Sequence, residues 1–396
     1  MRKLFLTFTA VILLLIYTQA AATPSPQINQ EATAEATETV TVYPTPQPTP
    51  AERTREALEA YLGWTCPEEV RGGTLNIFNW AEYVGPFTIG DFQVLCDATV
   101  NFDVYASNED MIARLRAGNP GYDIIVPSHF IINVMVNEGL LTPLNLDNIP
   151  NIANVTPELL NPDYDPDNQY TVPYQWGTVG IAYSTTRVAA PFVSWDDFWS
   201  YEGPVAWLED QRAMLGIALN LLGYDPNSEN PDEIAAARDY LIERSGNVVT
   251  IITGNSQQLL GSGEIDAAID YNGNVFQLQA QCGCEDYAYV IPEEGANVWV
   301  DNVAIPVDAP NPRLAEAFID YLLVPQVGAD LSNWTAYATP NQTALDMGLI
   351  DPTMRENPAI YPDSEVLERT FFSEANPDTE SLYADAWDAV KAALSR

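Results

Sequence analysis

The chain has 396 residues, with 16 Lys plus Arg against 55 Asp plus Glu, a formal net charge of −39 at pH 7. Nucleic-acid binding is excluded, because phosphate contacts need clustered Lys and Arg and Lys occurs only at Lys3 and Lys391. An anionic membrane surface would repel such a chain, whereas a cationic solute is drawn toward it within the screening length of salt.

Met1-Arg2-Lys3 is a basic start, and Leu4 to Tyr17 is an apolar run too short to span a bilayer comfortably. With the small residues Ala20-Ala21-Ala22 this predicts a signal peptide over 1–22 and an exported protein, in the periplasm or at the extracellular face of the envelope. The first Cys is Cys66, so a lipid anchor is not supported. Residues 23–71 read as a disordered Pro/Thr-rich linker followed by a lead-in helix over 51–63. The linker is either a tether or a leader without a binding role. The remaining length suits two domains.

The folded body begins near Gly72-Gly73. Thr74–Phe78 is a strand, 87–95 a helix, and Val100–Tyr105 a strand by its alternation. Ser107 with Asp110 three residues on caps a helix that carries Met111, Ile112 and Leu115 and stops at Gly118. Tyr122–Ser128 reads as a buried parallel strand. This alternation of strand and helix is an α/β signature. Residues 142–170 read as a long surface connection. Strands follow at Tyr170–Tyr174, Gly180–Tyr183, Pro204–Trp207, Ile265–Ile269, Ala288–Ile291 and Val298–Ile305. Helices are expected from Ser194, at 214–222, after Asn230-Pro231, after Asn311-Pro312 and over 381–394.

Several tempting motifs fail. Asp163, Asp165 and Asp167 alternate like a calcium loop, but Asn168 and Tyr174 stand where Gly and Glu are needed. Gly261 and Gly263 lack the rest of a phosphate-binding fingerprint. His129 is the only histidine, and strand alternation would turn it away from Ser128, so no catalytic triad is expected. Cys282-Gly283-Cys284 lacks the zinc spacing. No metal, cofactor or catalytic residue is expected. Four cysteines allow three pairings. Cys66 precedes the first strand and Cys96 the second, and neighbouring parallel strands start at one sheet end, so these two are expected to pair. Cys282 and Cys284 would then bond each other or stay reduced.

What recurs is an aromatic beside a carboxylate at segment ends. Trp80, Glu82 and Tyr83 follow the first strand; Asp210 follows Val205–Trp207; Asp270 and Tyr271 follow Ile269. Trp299 and Asp301 share one strand face, and Tyr337 precedes Pro340-Asn341. Aromatic faces attract organic cations and carboxylates accept from ammonium groups. Taken singly, each is an ordinary packing aromatic or capping acid; the repetition points to a site for an amine.

From about residue 72 onward the chain resembles the spermidine/putrescine-binding proteins of ABC importers. The matching stretches are Asn79-Trp80-Ala81-Glu82-Tyr83, Ser107-Asn108-Glu109, Tyr122 to Ser128, Val172-Pro173-Tyr174-Gln175-Trp176-Gly177, Trp299-Val300-Asp301, Ala304-Ile305-Pro306, Tyr321-Leu322-Leu323 and Pro340-Asn341. The resemblance implies a type II periplasmic-binding fold, two α/β lobes joined by hinge strands that close on a ligand. One lobe is expected over 72–174 plus 300–345, the other over 175–299 plus 346–396. It implies ligand-binding roles for Trp80, Glu82, Tyr83, Ser128, Asp210, Tyr271, Trp299, Asp301 and Tyr337. Four positions depart from the family pattern: Phe130 for Tyr, Ala213 for Glu, Tyr271 for Trp, and Asn274 for the Asp of the putrescine-type pattern. The expected partners are a small-molecule polyamine and a membrane permease, served by a monomer that is not an enzyme. The alternatives are a binding protein for another organic cation or opine-like solute, or an enzyme or sensor ectodomain on the same fold.

Overall fold

The structure, a computed structural model, describes residues 47–376 and 378–395. The predicted signal peptide and the Pro-rich spacer up to residue 46 lie outside the described residues. Among the described residues no helix is long and apolar enough to cross a membrane.

Among the described residues ten strands form one curled sheet: β1 Thr74–Trp80, β2 Thr99–Tyr105, β3 Ile124–Ile125, β4 Thr171–Ser184, β5 Val205–Leu208, β6 Val248–Ile252, β7 Ala267–Tyr271, β8 Tyr287–Val290, β9 Asn297–Ala304 and β10 Phe371–Phe372. Their order is β2-β1-β3-β9-β4-β7-β5-β6, with β10 on β9 and β8 on β4. At one end β1 pairs parallel with β2 and β3; at the other β5 pairs parallel with β6 and β7. Between these two parallel sets lie β4 and β9, antiparallel to each other over most of their length. That arrangement gives two α/β lobes joined by hinge strands, as the resemblance implies. The ladder shifts register between Pro173 and Gln175, where β4 passes from the neighbourhood of β3 toward β7 and β8.

Local chemistry explains the helix starts. Ser107, Ser194, Asp210, Asn230 and Asn341 each accept a backbone N–H with the side chain at a helix N-terminus. The helix Pro312–Leu322 buries Ala315, Phe318, Ile319 and Leu322 against the main core, one face of a helical period.

The structure departs from the sequence reading in several places. The expected strands Tyr170–Tyr174, save Tyr170 itself, and Gly180–Tyr183 belong to one strand, β4, in which Gly177 and Gly180 sit where neighbouring groups leave no room for a Cβ. Only Ile124–Ile125 of the predicted strand 122–128 pairs as one. Ser128 instead precedes a helix His129–Asn137, so strand alternation does not apply to Ser128 and His129. The strand β6 and the helices Ser256–Ser262 and Asn272–Cys282 were not expected; the last is rich in Asn and Gln and shows little apolar periodicity. The connection over 142–170 is not purely a surface loop. It buries Leu144, Ile149 and Val155, and Asp165 accepts from the Thr171 N–H at 2.8 Å and hydroxyl at 2.7 Å.

Cys66 and Cys96 form a disulfide, as expected from their positions ahead of β1 and β2, and both are buried. Cys282 bonds Cys284 at the exposed end of its helix. The two bridges close loops of very different length, with sequence separations of 30 and 2. Replacing Cys66 and Cys96 together by Ala is expected to lower unfolding stability by about 2–4 kcal/mol. Replacing Cys282 and Cys284 by Ser should leave the urea midpoint nearly unchanged. Urea titrations of both double variants check this ranking, and equal losses would contradict it.

Candidate ligand-binding site

The candidate site lies where the ends of β1 and β7, the segment 126–128, the helix start at Asp210 and the loop at Tyr337 meet β9. Asp301 projects from β9 and is 7% exposed. Ser128 is bridged to it backbone to backbone, and the Ser128 hydroxyl donates to Asp301 Oδ1 at 2.7 Å. Asn108 donates from Nδ2 to the same hydroxyl at 3.1 Å and accepts from the Ser128 N–H at 3.1 Å. Asn108 is held in turn by the helix that Ser107 caps. Ser128, itself held by Asn108, therefore fixes the carboxylate, with no cation beside it among the described residues.

Burial pushes the Asp301 carboxyl up to about 7. The Ser128 bond and the nearby Tyr83 hydroxyl draw it back, and the charge of Asp210 pushes it further up. Tyr83 faces Asp301 but falls short of hydrogen-bond geometry, and its buried hydroxyl has no other partner among the described residues.

Trp299 sits two residues before Asp301 on the same face of β9. Its indole meets Tyr337 edge-on at 5.0 Å and Tyr271 at 5.8 Å. Tyr337 meets Tyr83 at 5.7 Å, and Tyr83 meets Tyr174 at 5.3 Å. Five rings thus form a continuous row beside the carboxylate. Trp299 Nε1 is buried without a partner among the described residues. Buried polar groups are nearly always paired, so orphans gathered in one place mark a site that receives a polar group.

Asp210 caps the helix Gln211–Leu221. Its Oδ1 accepts from the Ala213 N–H at 2.9 Å and its Oδ2 from the Tyr271 hydroxyl at 3.2 Å. Burial raises its carboxyl above the ordinary range, against the helix N–H groups, Tyr271 and Arg212. Tyr271, in place of Trp, keeps the aromatic wall and adds a hydroxyl that reaches this acid. Ala213 contributes its N–H; its side chain is fully buried in the main core.

Trp80 joins through the neighbouring segment. Its Nε1 donates to the Val126 carbonyl at 3.0 Å and its ring lies edge-on to Tyr105 at 4.6 Å. Glu82 is not tied into this network: it is exposed, in a left-handed turn at φ 53°, with no side-chain hydrogen bond to a described residue. Phe130 is partly buried beside His129. The His129 imidazole accepts from the Val300 N–H at 3.3 Å through Nδ1, and burial pushes it down to about 4, so it stays neutral behind the site.

Sequence reasoning named Asp270 at a strand end but left it and Asn108 out of the site. Asp270 is 1% exposed, and burial pushes its carboxyl up to about 6. The signal available was a charged residue closing the wholly apolar run Ala267-Ala268-Ile269. Asn274, which departs from the family pattern, bonds to Asp270 at 2.8 Å.

The buried carboxylates of Asp301 and Asp270 and the part-exposed one of Asp210, all raised and bordered by aromatic rings, favour a cation that brings its own hydrogen-bond donors. Such an arrangement, at the junction of two lobes joined by hinge strands, is suited to binding a cationic solute. The sequence profile of the bacterial extracellular solute-binding proteins matches residues 88–362, and the chain belongs to that family. It is 34% identical over 340 residues to the putrescine-binding periplasmic protein PotF of Escherichia coli, covering 80% of this chain and 91% of that one. It is 32% identical over 337 residues to the putrescine-binding periplasmic protein SpuD of Pseudomonas aeruginosa, with the same coverage of 80% and 91%. Among solved structures, the spermidine/putrescine ABC transporter substrate-binding protein PotD of Streptococcus pneumoniae aligns at 31% identity with a TM-score of 0.71, over 82% of this chain and 100% of that one.

Gly177 of β4 lies opposite Trp299, and an added Cβ would sit 2.6 Å from Trp299 Cζ2 and 2.4 Å from Asn272 Oδ1. Gly177→Ala is expected to destabilise the protein by about 1–3 kcal/mol through overpacking and to shift tryptophan emission as the indole moves. Thermal unfolding followed by fluorescence checks both; an unchanged midpoint and spectrum would show that Trp299 is not held there.

Proposed function

We propose that the protein captures a polyamine of the putrescine/spermidine class between its lobes and delivers it to an ABC importer in the membrane. The observation that carries this reading is the buried Asp301 carboxylate, fixed by Ser128 without a cation and walled by Trp299, Tyr337 and Tyr83. The polyamine names of the relatives support it. The aromatic row packs the methylene chain and makes cation–π contacts, while Asp301 and Asp210 accept from ammonium groups. Trp80 completes the wall and Glu82 lies at the rim.

The lobes of this reading are 72–174 plus 300–345 and 175–299 plus 346–396, which divide at the register shift beside Tyr174. Closure bends β4 and β9 there and shuts the ligand in. No bond is made or broken: the protein binds and releases, as a monomer, in the periplasm or at the outer face of the envelope. The net charge of −39 raises the local concentration of a polycation and keeps the protein from nucleic acid.

Titration calorimetry of the mature protein with putrescine and spermidine tests this, and no heat at millimolar ligand would overturn it. Asp301→Asn is expected to weaken binding more than Asp210→Asn or Glu82→Gln. Loss of one partner of a buried charge pair costs about 2–5 kcal/mol, which is roughly 30-fold to several thousand-fold in affinity. An effect under about threefold, or about 0.7 kcal/mol, would remove Asp301 from the site.

The pH dependence has a definite sign. An ammonium favours ionised Asp301, whose free carboxyl titrates at about 7. Affinity should therefore be highest above that pH and fall below it, approaching about tenfold per pH unit. Putrescine titrations between pH 5.5 and 8.5 check this; affinity that rises on acidification would contradict it.

A further inference from the structure

Asp270, the penultimate residue of β7, is buried to 1% exposure, with no cation beside it among the described residues. Its Oδ1 accepts from the Tyr271 N–H at 2.8 Å and from Asn274 Nδ2 at 2.8 Å. Its Oδ2 is buried without a partner among the described residues. Burying a carboxylate is expensive unless its oxygens are bonded or its charge is used.

Asn274 stands in the first turn of the helix Asn272–Cys282. A carboxamide has one donor end and one acceptor end, and an ionised carboxylate only accepts. Asp270 can therefore bind only the NH2 end of Asn274. That fixes the amide with its oxygen turned the other way, where Oδ1 accepts from the Tyr337 hydroxyl at 3.2 Å. Tyr337 is the central ring of the aromatic row, between Trp299 and Tyr83. Once its hydroxyl proton is given to Asn274, the Tyr337 oxygen keeps its lone pairs for an incoming donor. Tyr337 also packs against the backbone of Gly273, where a Cβ would lie 2.5 Å from Cε1, so the ring cannot swing toward the helix. The result is a set of acceptors, Asn274 Oδ1 and the Tyr337 oxygen, backed by a negative charge and separate from the Ser128–Asp301 pair.

We propose that Asp270, acting through Asn274, is the positioning residue of a second anionic end of the site, which takes an ammonium group other than the one held by Asp301. This rests on the polyamine reading and adds a selectivity to it: a linear diamine or longer polyamine is favoured over a monoamine of equal chain length. A monoamine held at Asp301 has no second ammonium for this end to take.

The test compares the mature protein, Asp270→Asn, and the exchange variant Asp270→Asn with Asn274→Asp, titrated with putrescine and with n-butylamine. Asp270→Asn is expected to lower putrescine affinity by about tenfold or more, the size expected for losing a charged acceptor. Butylamine affinity should change by less than about twofold, well under one charged hydrogen bond. The exchange variant restores the charge and the carboxylate–amide contact with the roles swapped. It should recover putrescine binding to within about threefold, less than the worth of one hydrogen bond. A residue that only stabilises the fold would weaken both amines alike and would not be rescued by the exchange. Wild-type putrescine affinity in Asp270→Asn, equal losses for the two amines, or an exchange variant as weak as the single one would each overturn the proposal. Failure of the unaltered protein to bind putrescine would instead strike the polyamine reading and take this inference with it.

Discussion

The candidate site depends on one physical fact: a carboxylate, Asp301, is buried beside a hydroxyl and aromatic rings with no cation among the described residues to balance it. Water would solvate that charge far better than this environment does. The protein holds the group in place, and the cost appears as a carboxyl pushed up to about 7. A cation entering the site relieves that cost and brings the missing donors. Asp270 extends the same condition along the aromatic row, and burial raises Asp210 as well, against the charge of Arg212. Neutral polar solutes bring donors but no charge, and anions meet repulsion, so the arrangement discriminates by sign before it discriminates by shape.

The fold makes this condition possible by where it puts two strands. The strands β4 and β9 belong to both lobes, and β9 carries Trp299 and Asp301 at the junction itself. Tyr83 and Ser128, from the side of β1 and β3, lie against Asp301, while Tyr271, from the side of β5 and β7, packs on Trp299 and bonds Asp210. The packing there is tight. Gly177 has no space for a methyl group next to Trp299, and Gly273 has none next to Tyr337. These glycines are needed for close approach to rings, at backbone angles open to any residue. Small changes at the hinge therefore move the aromatic wall.

Much of this was legible in the sequence. Alternating strands and helices, the caps at Ser107, Ser194 and Asn230, and the pairing of Cys66 with Cys96 all follow from local rules that this chain obeys. Trp299 and Asp301 share a face because strands alternate strictly. Less legible were features set by tertiary contact. β4 continues through Gly177 and Gly180 because its partners β7, β8 and β9 supply the ladder, which no local propensity reveals. Ser128 opens a helix, where an apolar run suggested a strand continuing to it. Helix Asn272–Cys282 hid behind its polar residues, and with it the Asp270–Asn274–Tyr337 chain, which joins residues 63 apart in sequence. Glu82 matched the family pattern by position, yet its left-handed turn leaves it exposed and outside the network.

The most direct test of the central claim is proton release on binding. Calorimetric titration of putrescine near pH 6, repeated in buffers of different ionisation enthalpy, counts the protons the complex gives up. If the cation is taken by carboxylates that are protonated when free, about one proton or more leaves per ligand near pH 6, and the number falls toward zero at pH 9. Heats that do not depend on the buffer at pH 6, or that report proton uptake, would contradict the account.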